Sequence, residues 1–328
     1  MLRRAIARHR RRIIFWSIVL SLLLLVWASL TQPVLVLGKN KHIPAVSSQL
    51  LESRVRVLSE LFVPRNSDHT DNLDQVAAFI KQEFGKAGGR VREQKYSADR
   101  RVYRNVIAQF GPEGDKRVVV GAHYDAFGEM PAADDNASGV AVLIELAYLL
   151  NKTPPKKCVE LVAYALEEPP YFSSDQMGSA IHAANLKQRG ITVSLMLSLE
   201  SVGYFSDAKG SQHFPFPISL FYPRRGDFIA VVGRTQESWV LRRVKKAMIA
   251  GCSLPVRSVN VPSWFPGVDE SDQVSYWRCG YPGLMITDTA YFRNRNYHTG
   301  KDTADTLDYR RMAMVVQGVY AAVKETAR

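Results

Sequence analysis

The stretch KRVVVGAHYDAFGEMPAADDNASGVAVLIELAYLLNK, residues 116–152, decides the fold. It begins with an apolar run typical of a buried strand, and its last part, residues 137–152, has the apolar spacing of a helix. The segment that joins them, residues 121–139, carries one histidine and three aspartates among small residues. Because a buried carboxylate needs a positive partner, this segment either lies in solvent or meets a cation.

The same alternation of strand and helix continues on both sides of this stretch. Apolar runs predict strands at residues 102–110, 116–124, 158–166, 193–200, 228–233 and 283–288. Periodic patterns predict helices at residues 43–62, 72–88, 137–152, 173–190, 237–249 and 309–327. We therefore predict one α/β domain, residues 43–328, built as a three-layer α/β/α sandwich with a mainly parallel, mixed central sheet.

The N-terminal region differs from this body in charge and in hydropathy. Residues 13–30 form an uncharged run of 18 residues, about the length that crosses a ~30 Å hydrocarbon core. We predict a basic cytoplasmic tail at residues 1–12 and a transmembrane anchor at residues 13–36, with the body periplasmic or extracellular by the positive-inside rule. A cleaved signal peptide is the alternative, although its apolar region is usually shorter.

Composition excludes several classes of protein. Apolar residues make up 46% and charged residues 23% of the chain, as in globular proteins. The net charge of +12 comes mostly from the first 42 residues, which carry eight basic side chains and no acidic ones: Arg3, Arg4, Arg8, Arg10, Arg11, Arg12, Lys39 and Lys41. The body has no basic stripe interleaved with aromatics, so we expect no nucleic-acid partner. Three cysteines are too few for a disulfide scaffold, although one bridge could form.

Acidic and imidazole groups follow the predicted strands where those strands end. They are His123 and Asp125, Asp134 and Asp135, Glu167 and Glu168, Glu200, and His298 in a C-terminal loop. Each group alone also fits a solvated turn, a helix cap or a surface position. In parallel sheets, however, ligands bind beyond the carboxyl ends of the strands. So many carboxylates at one edge would repel one another unless a divalent cation lay between them.

The types of residue in this set favour zinc in a catalytic role. Two histidines with several carboxylates and no thiolate are typical of catalytic zinc rather than structural zinc. His123 and Asp125 lie two apart on a strand and share a face, so Asp125 can orient the imidazole. Glu167 and Glu168 are adjacent and their side chains diverge, which suits one metal ligand and one general base.

Six short motifs together resemble a known family. They are HYD (123–125), ADDNASG (133–139), LEEP (166–169), the GS of QMGSA (178–179), SLESVG (198–203) and YHTGKDTADTLDY (297–309). In this order and spacing they resemble the di-zinc exopeptidases of the aminopeptidase S/Y type. The resemblance covers about residues 70–325.

The resemblance implies a role for each site residue. Asp135 would bridge two zinc ions, with His123 and Glu200 completing one site and Glu168 and His298 the other. Glu167 would be the general base, Asp125 would support His123, and Asp134 would support the turn without binding metal. The implied cofactor is two Zn²⁺ per chain, and the implied reaction removes N-terminal residues from a peptide substrate.

Three other functions fit the same scaffold. They are a carboxypeptidase or dipeptidase, a glutaminyl cyclase-like enzyme, and a binding protein without catalysis. Two positions also depart from the family pattern. Glu200 stands where many members have Asp, and Gln273 stands where a histidine is common. The aromatic segment 203–227 is long for a loop. It either walls the substrate pocket, with Phe214 and Phe216 among its side chains, or forms a surface excursion packed on its own aromatics.

Overall fold

The structure is a computed structural model that describes residues 2–39 and 43–328. Lys41, one of the predicted N-terminal basic residues, lies outside the described part. Eight strands form one sheet: β1 (Arg90–Ala98), β2 (Arg101–Phe110), β3 (Lys116–His123), β4 (Cys158–Tyr164), β5 (Thr192–Glu200), β6 (Ile229–Arg234), β7 (Val256–Val261) and β8 (Gly283–Thr287). Their order is β1-β2-β4-β3-β5-β8-β6-β7.

The sheet is mixed, with its parallel strands at the centre. β3 pairs in parallel with both β4 and β5, and β5 pairs in parallel with β8. β1, β2 and β4 are joined by antiparallel pairing, and β6 runs antiparallel to β8. The carboxyl ends of β3, β4, β5 and β8 therefore meet at the same edge of the sheet.

Helices cover both faces of this sheet. They are α2 (Ser48–Arg56), α3 (Thr70–Lys86), α4 (Gly139–Lys152), α5 (Gly178–Gln188), α6 (Ser238–Gly251), α7 (Gln273–Arg278) and α8 (Tyr309–Thr326). The larger core lies on the face covered by α3, α4, α6 and α8, and α5 and α7 cover the other face. The predicted three-layer α/β/α architecture is confirmed.

Two edge strands, β1 and β7, escape sequence-based prediction. β1, with the sequence RVREQKYSA, is mostly charged or polar, and most of its side chains are exposed or half-buried. β7 is a short segment, VRSVNV, in which polar residues interrupt the apolar ones. An edge strand has a neighbour on one side only, so it needs less apolar surface than a central strand. The predicted helix at residues 43–62 begins only at Ser48, where Ser47 caps it.

The N-terminal apolar run forms the helix α1 (Leu2–Thr31). Its portion His9–Thr31 is long and apolar enough to cross a membrane, and its side chains are exposed outside the body. A signal sequence has the same properties, so the helix alone shows only that a span is possible. Within the described residues, Cys158, Cys252 and Cys279 are all free, and the first two are buried.

Candidate metal centre

His123, Asp135 and Glu200 converge at the carboxyl edge of the sheet. His123 is the last residue of β3 and Glu200 the last of β5, so parallel pairing of the two strands brings both side chains to one point. The Nε2 atom of His123 lies 3.2 Å from Oε2 of Glu200 and 3.3 Å from Oδ1 of Asp135. All three residues are buried.

His298 and Glu168 lie on the other side of Asp135. The Nε2 atom of His298 is 2.9 Å from Oδ2 of Asp135 and 3.4 Å from Oε1 of Glu168. The His298 ring is stacked between Phe127 and Tyr297, with ring centroids 4.1 and 3.9 Å away. Its backbone has φ = 56°, a left-handed conformation that histidine rarely adopts. Stacking and backbone together hold the imidazole at one orientation.

The structure thus places Asp135 between two groups of possible metal ligands. In each group, one ligand atom per residue lies within 4.8 Å of the others: His123, Asp135 and Glu200 in one, and Asp135, Glu168 and His298 in the other. Four of the buried atoms in these groups lack a hydrogen-bond partner within the described residues: His123 Nε2, Asp135 Oδ2, Glu168 Oε1 and His298 Nε2. Unpaired buried polar atoms are costly, and a cation would satisfy all four.

Burial and crowding change the acidity of these carboxyl groups. Burial raises the pKa of Glu168 to about 7, and the nearby Asp135 carboxylate adds to the rise. Burial also raises the pKa of Glu200 and, more strongly, that of Glu167. For Asp135, burial alone would raise the pKa, but the close imidazoles of His123 and His298 lower it below its usual value. A cation would favour the ionised form of every carboxyl group in the cluster.

Glu167 and Glu168 occupy a turn after β4 that Asp125 holds in place. The two carboxylate oxygens of Asp125 accept hydrogen bonds from the backbone N–H groups of Glu167 (3.1 Å) and Glu168 (3.0 Å). Glu167 points toward the cluster, with Oε2 3.9 Å from His123 Nε2.

The sequence predicts that Asp125 supports His123. In the structure, Nδ1 of His123 is nearer to the backbone oxygen of Asp125 (3.2 Å) than to its carboxylate (3.6 Å). The main contacts of the carboxylate are with the turn that presents Glu167 and Glu168. Asp125 therefore positions three other members of the cluster.

Asp302 holds the loop that contains Asp135, and sequence reasoning missed it. Its carboxylate accepts hydrogen bonds from the backbone N–H groups of Asp134 (3.0 Å) and Asp135 (3.2 Å). Asp134 in turn accepts from Gly203 N (2.9 Å) and Asn294 Nδ2 (2.9 Å), so it lies away from the two ligand groups. Asp302 lies within the quoted motif YHTGKDTADTLDY, but nothing in its spacing indicates this contact.

Arg65 is a second residue that sequence reasoning missed. It is only 1% exposed, and its guanidinium donates to the carbonyl oxygens of Tyr124 (3.1 Å), Leu58 (3.0 Å), Pro131 (2.6 Å) and Ala132 (2.5 Å). Burial lowers the pKa of Arg65 to about 10, although the carboxylates of the cluster oppose this shift. Arg65 therefore fixes the path of the loop that leads to Asp135 and places a positive charge behind it.

The segment before α7 supports Glu200. Ser271 Oγ donates to Oε2 of Glu200 at 2.8 Å, and the neighbouring Asp272 is fully buried. Burial raises the pKa of Asp272 to about 7. Gln273, which stands at the position where the family often has a histidine, donates to the carbonyl of Val268 (2.9 Å). In this chain, Gln273 therefore braces a neighbouring loop.

An apolar pocket of about 620 Å³, including space open to solvent, adjoins the cluster. Glu200, Thr287 and Tyr297 line its inner end. Phe214, Pro215, Ile218, Val232, Val259, Phe265 and Pro266 are among the residues that line the rest. Of the two aromatic residues expected to wall a substrate pocket, Phe214 lines this cavity. Phe216 does not line it and is 79% exposed.

Sequence comparison identifies relatives over most of the chain. The protein YfbL of Escherichia coli (strain K12) is 45% identical over 320 residues, which cover 94% of this chain and 97% of YfbL. Probable leucine aminopeptidase 1 of Trichophyton verrucosum is 25% identical over 327 residues, covering 92% of this chain and 82% of the relative. The predicted relationship to aminopeptidases is thereby confirmed.

Solved structures share the fold. BSAP, a zinc aminopeptidase from Bacillus subtilis, superposes with a TM-score of 0.69 at 16% identity, covering 88% of this chain and 97% of BSAP. A glutaminyl cyclase from Bacteroides thetaiotaomicron superposes with a TM-score of 0.63 at 18% identity, covering 86% and 99%. At these identities the likeness concerns the fold alone. Residues 105–323 match peptidase family M28, and the chain therefore belongs to this family, as an enzyme of the metallo-exopeptidase class.

Proposed function

We propose that this protein is a zinc-dependent aminopeptidase that uses two Zn²⁺ ions per chain. The observation that carries the proposal is the position of Asp135, whose two carboxylate oxygens face different histidines, His123 and His298. A carboxylate in that position can bridge two ions. His123 and Glu200 would complete one site, and Glu168 and His298 the other.

Glu167 is the proposed general base. Bound zinc would polarise the scissile carbonyl and acidify the attacking water. Glu167 would accept the proton of that water and deliver it to the leaving amine. Its position supports this role, because its carboxylate lies beside the cluster and its backbone is held by Asp125. Burial also raises the pKa of Glu167 above the usual value of a carboxyl group, which makes it a stronger base.

The proposed substrate is a peptide whose N-terminal residue is apolar. The pocket beside Glu200 is lined mostly by aromatic and aliphatic side chains, and such a lining selects apolar groups by desolvation. The curated relatives that carry the name leucine aminopeptidase support the same substrate class. A carboxypeptidase or dipeptidase would release other products from the same peptides, so product analysis separates these reactions.

A glutaminyl cyclase-like reaction is the second candidate, favoured by the fold shared with the Bacteroides enzyme. A peptide with N-terminal glutamine separates the two. Hydrolysis releases free glutamine, whereas cyclisation releases ammonia and leaves a pyroglutamyl peptide that is lighter by one nitrogen and three hydrogens. We expect hydrolysis to dominate.

Metal analysis tests the dinuclear centre. We expect about two zinc ions per chain, because two of the groups of three possible ligands share Asp135. Removal of zinc by a chelator should abolish hydrolysis. Asp135→Ala should lose most of the bound metal, since both groups include Asp135. Asp305→Asn, a change at an exposed acid, is the control. One zinc per chain would indicate a mononuclear enzyme, and none would favour a binding protein.

Phe214→Ala tests the pocket. The smaller side chain removes apolar contact area, so kcat/KM for substrates with N-terminal leucine should fall about 10–200-fold, while that for N-terminal alanine changes less. Phe216→Ala, measured in the same detergent, is the matched control because Phe216 lies outside the pocket. Equal effects of the two variants on leucine and alanine substrates would show that another cavity binds the side chain.

We also propose that α1 remains in the mature protein as a membrane anchor. Its N-terminal arginines would stay in the cytoplasm, and the catalytic body would lie in the periplasm or outside the cell. Intact-mass analysis of the membrane fraction should find the full chain, since an anchor is not removed. A mature chain that begins after residue 30 would identify α1 as a signal peptide instead.

A further inference from the structure

The C-terminal end of α1 packs against the edge strand β7. Asn260 Nδ2 donates to the carbonyl of Ser29 (3.3 Å), and Ser258 Oγ donates to the carbonyl of Thr31 (2.6 Å). Ser29 meets Asn260, whereas Thr31, two residues later in the helix, meets Ser258, two residues earlier in the strand. The helix α1 and the strand β7 therefore run in opposite directions. The rest of α1 therefore projects beyond Val261, the last residue of β7. A membrane crossed by α1 would lie on that side of the body.

Trp264 lies on the same side. It follows Val261 by three residues, and 78% of its surface is exposed. Phe265, the next residue, lines the apolar pocket, so Trp264 stands on the outer surface of a pocket wall. An exposed tryptophan of this kind is costly in water, whereas the interface between lipid and water is the environment that tryptophan prefers.

α6 presents a second exposed tryptophan toward this side. Lys245 Nζ donates to the carbonyl of Thr31 (2.6 Å), and Lys39 Nζ donates to the carbonyl of Cys252 (2.6 Å) at the end of α6. The chain that leaves α1 therefore runs along α6 toward its C-terminal end. Trp239 lies in the first turn of α6, six residues before Lys245. It is therefore about 9 Å from Lys245 toward the N-terminal end of the helix, which is the side of the proposed membrane. It is 63% exposed.

The segment 214–222 adds two apolar side chains next to the end of α1. Tyr222 anchors this segment, because its hydroxyl donates to the carbonyl of Ser258 (2.5 Å) and also lies 3.2 Å from the carbonyl oxygen of Leu30. Phe216 and Leu220 point outward from it and are 79% and 69% exposed. Arg224 and Arg225 follow directly and are also exposed, as suits contact with anionic lipid headgroups.

We propose that Phe216, Leu220, Trp239 and Trp264 form an apolar rim that rests in the lipid interface of the membrane leaflet where α1 ends. The four residues belong to elements that contact the end of α1 or follow directly from β7. With Arg224 and Arg225 they combine aromatic, aliphatic and basic groups as interfacial segments do. This inference rests on the anchor proposed above and is independent of the proposed hydrolase activity. Its consequence is that two walls of the substrate pocket, residues 214–218 and 265–268, are held against the bilayer.

Fluorescence quenching in lipid nanodiscs tests the rim. The full chain, with Cys279→Ser to remove the half-exposed thiol, receives one new cysteine by Trp264→Cys or Phe216→Cys and is labelled with an environment-sensitive dye. Lipids with a nitroxide near the headgroup should quench both dyes several-fold more strongly than a dye at Val102→Cys. Val102 is the matched control, because it is an exposed apolar residue on β2, far across the sheet from β7.

A dye at Leu20→Cys, in the middle of α1, reports on the anchor separately. Quenching at position 20 by nitroxide deep in the acyl chains, without quenching at 216 and 264, would overturn the rim while the anchor stands. No quenching at position 20 would overturn both. The dyes at positions 216 and 264 could instead be protected from water only at high protein concentration. That result would show that a second copy of the chain covers the surface, and it would also overturn the proposal. A thermal unfolding transition close to that of the wild type confirms that each variant is folded, and neither zinc binding nor hydrolysis plays a part in the readout.

Discussion

Glu167→Gln is expected to lower kcat by about 10²–10⁴-fold, the usual contribution of a general base, without loss of bound metal. The amide keeps the size of the side chain and can still accept a hydrogen bond, but it cannot accept the proton of the attacking water. Glu167 belongs to neither of the ligand groups that meet at Asp135. The measurement is kcat for an aminoacyl-nitroanilide, together with zinc content by mass spectrometry.

Two comparisons sharpen this result. Glu167→Asp keeps the carboxylate but withdraws it from the water, so part of the activity should remain. Glu113→Gln, a change at an exposed acid far from the cluster, should have no effect. Activity near wild type in Glu167→Gln would show that another group takes the proton. Loss of zinc together with activity would instead identify Glu167 as a metal ligand, a possibility that its proximity to His123 and Glu168 allows.

Arg65→Met is expected to destabilise the folded protein by about 3–5 kcal/mol, as the loss of one partner from a buried ionic site does. The methionine fills much of the volume, but four backbone carbonyls lose their donor. The carboxylates of Asp302, Asp135, Asp125 and Glu168 also lose the buried positive charge that faces them. Thermal unfolding of the full chain in detergent measures the effect as a lower Tm.

Arg65→Lys separates charge from geometry. Lysine keeps the positive charge but cannot donate to four carbonyls at once, so we expect an intermediate Tm. Arg101→Met removes an exposed arginine whose pair with Asp68 lies at the surface, and it should change Tm little. An Arg65→Met protein as stable as wild type would mean that water replaces the guanidinium.

We also expect weaker zinc binding in Arg65→Met, because Asp135 lies at the end of the loop that Arg65 fixes.

Much of this fold follows from local pattern. The central strands β3, β4, β5 and β8 are covered on both faces, so each appears in the sequence as an apolar run. The helices that cover them show the matching periodicity. The edge strands β1 and β7 lack that signal, because an edge strand pairs with one neighbour only. The elements that cover such a strand, as the end of α1 covers part of β7, take their position from the whole structure.

The candidate site divides in the same way. Sequence alone determined that histidine and carboxylates follow the apolar strands, since residue type and strand end are both local properties, and the order of the motifs indicated the family. Only the tertiary structure decided that Asp135 stands between two histidines, that Asp302 and Arg65 hold its loop, and that α1 ends beside the pocket walls. Contacts of this kind join residues as far as 231 positions apart in the chain, as Ser29 and Asn260 are. These contacts depend on strand pairing and on the neutralisation of buried charges. Neither can be predicted from a local sequence pattern.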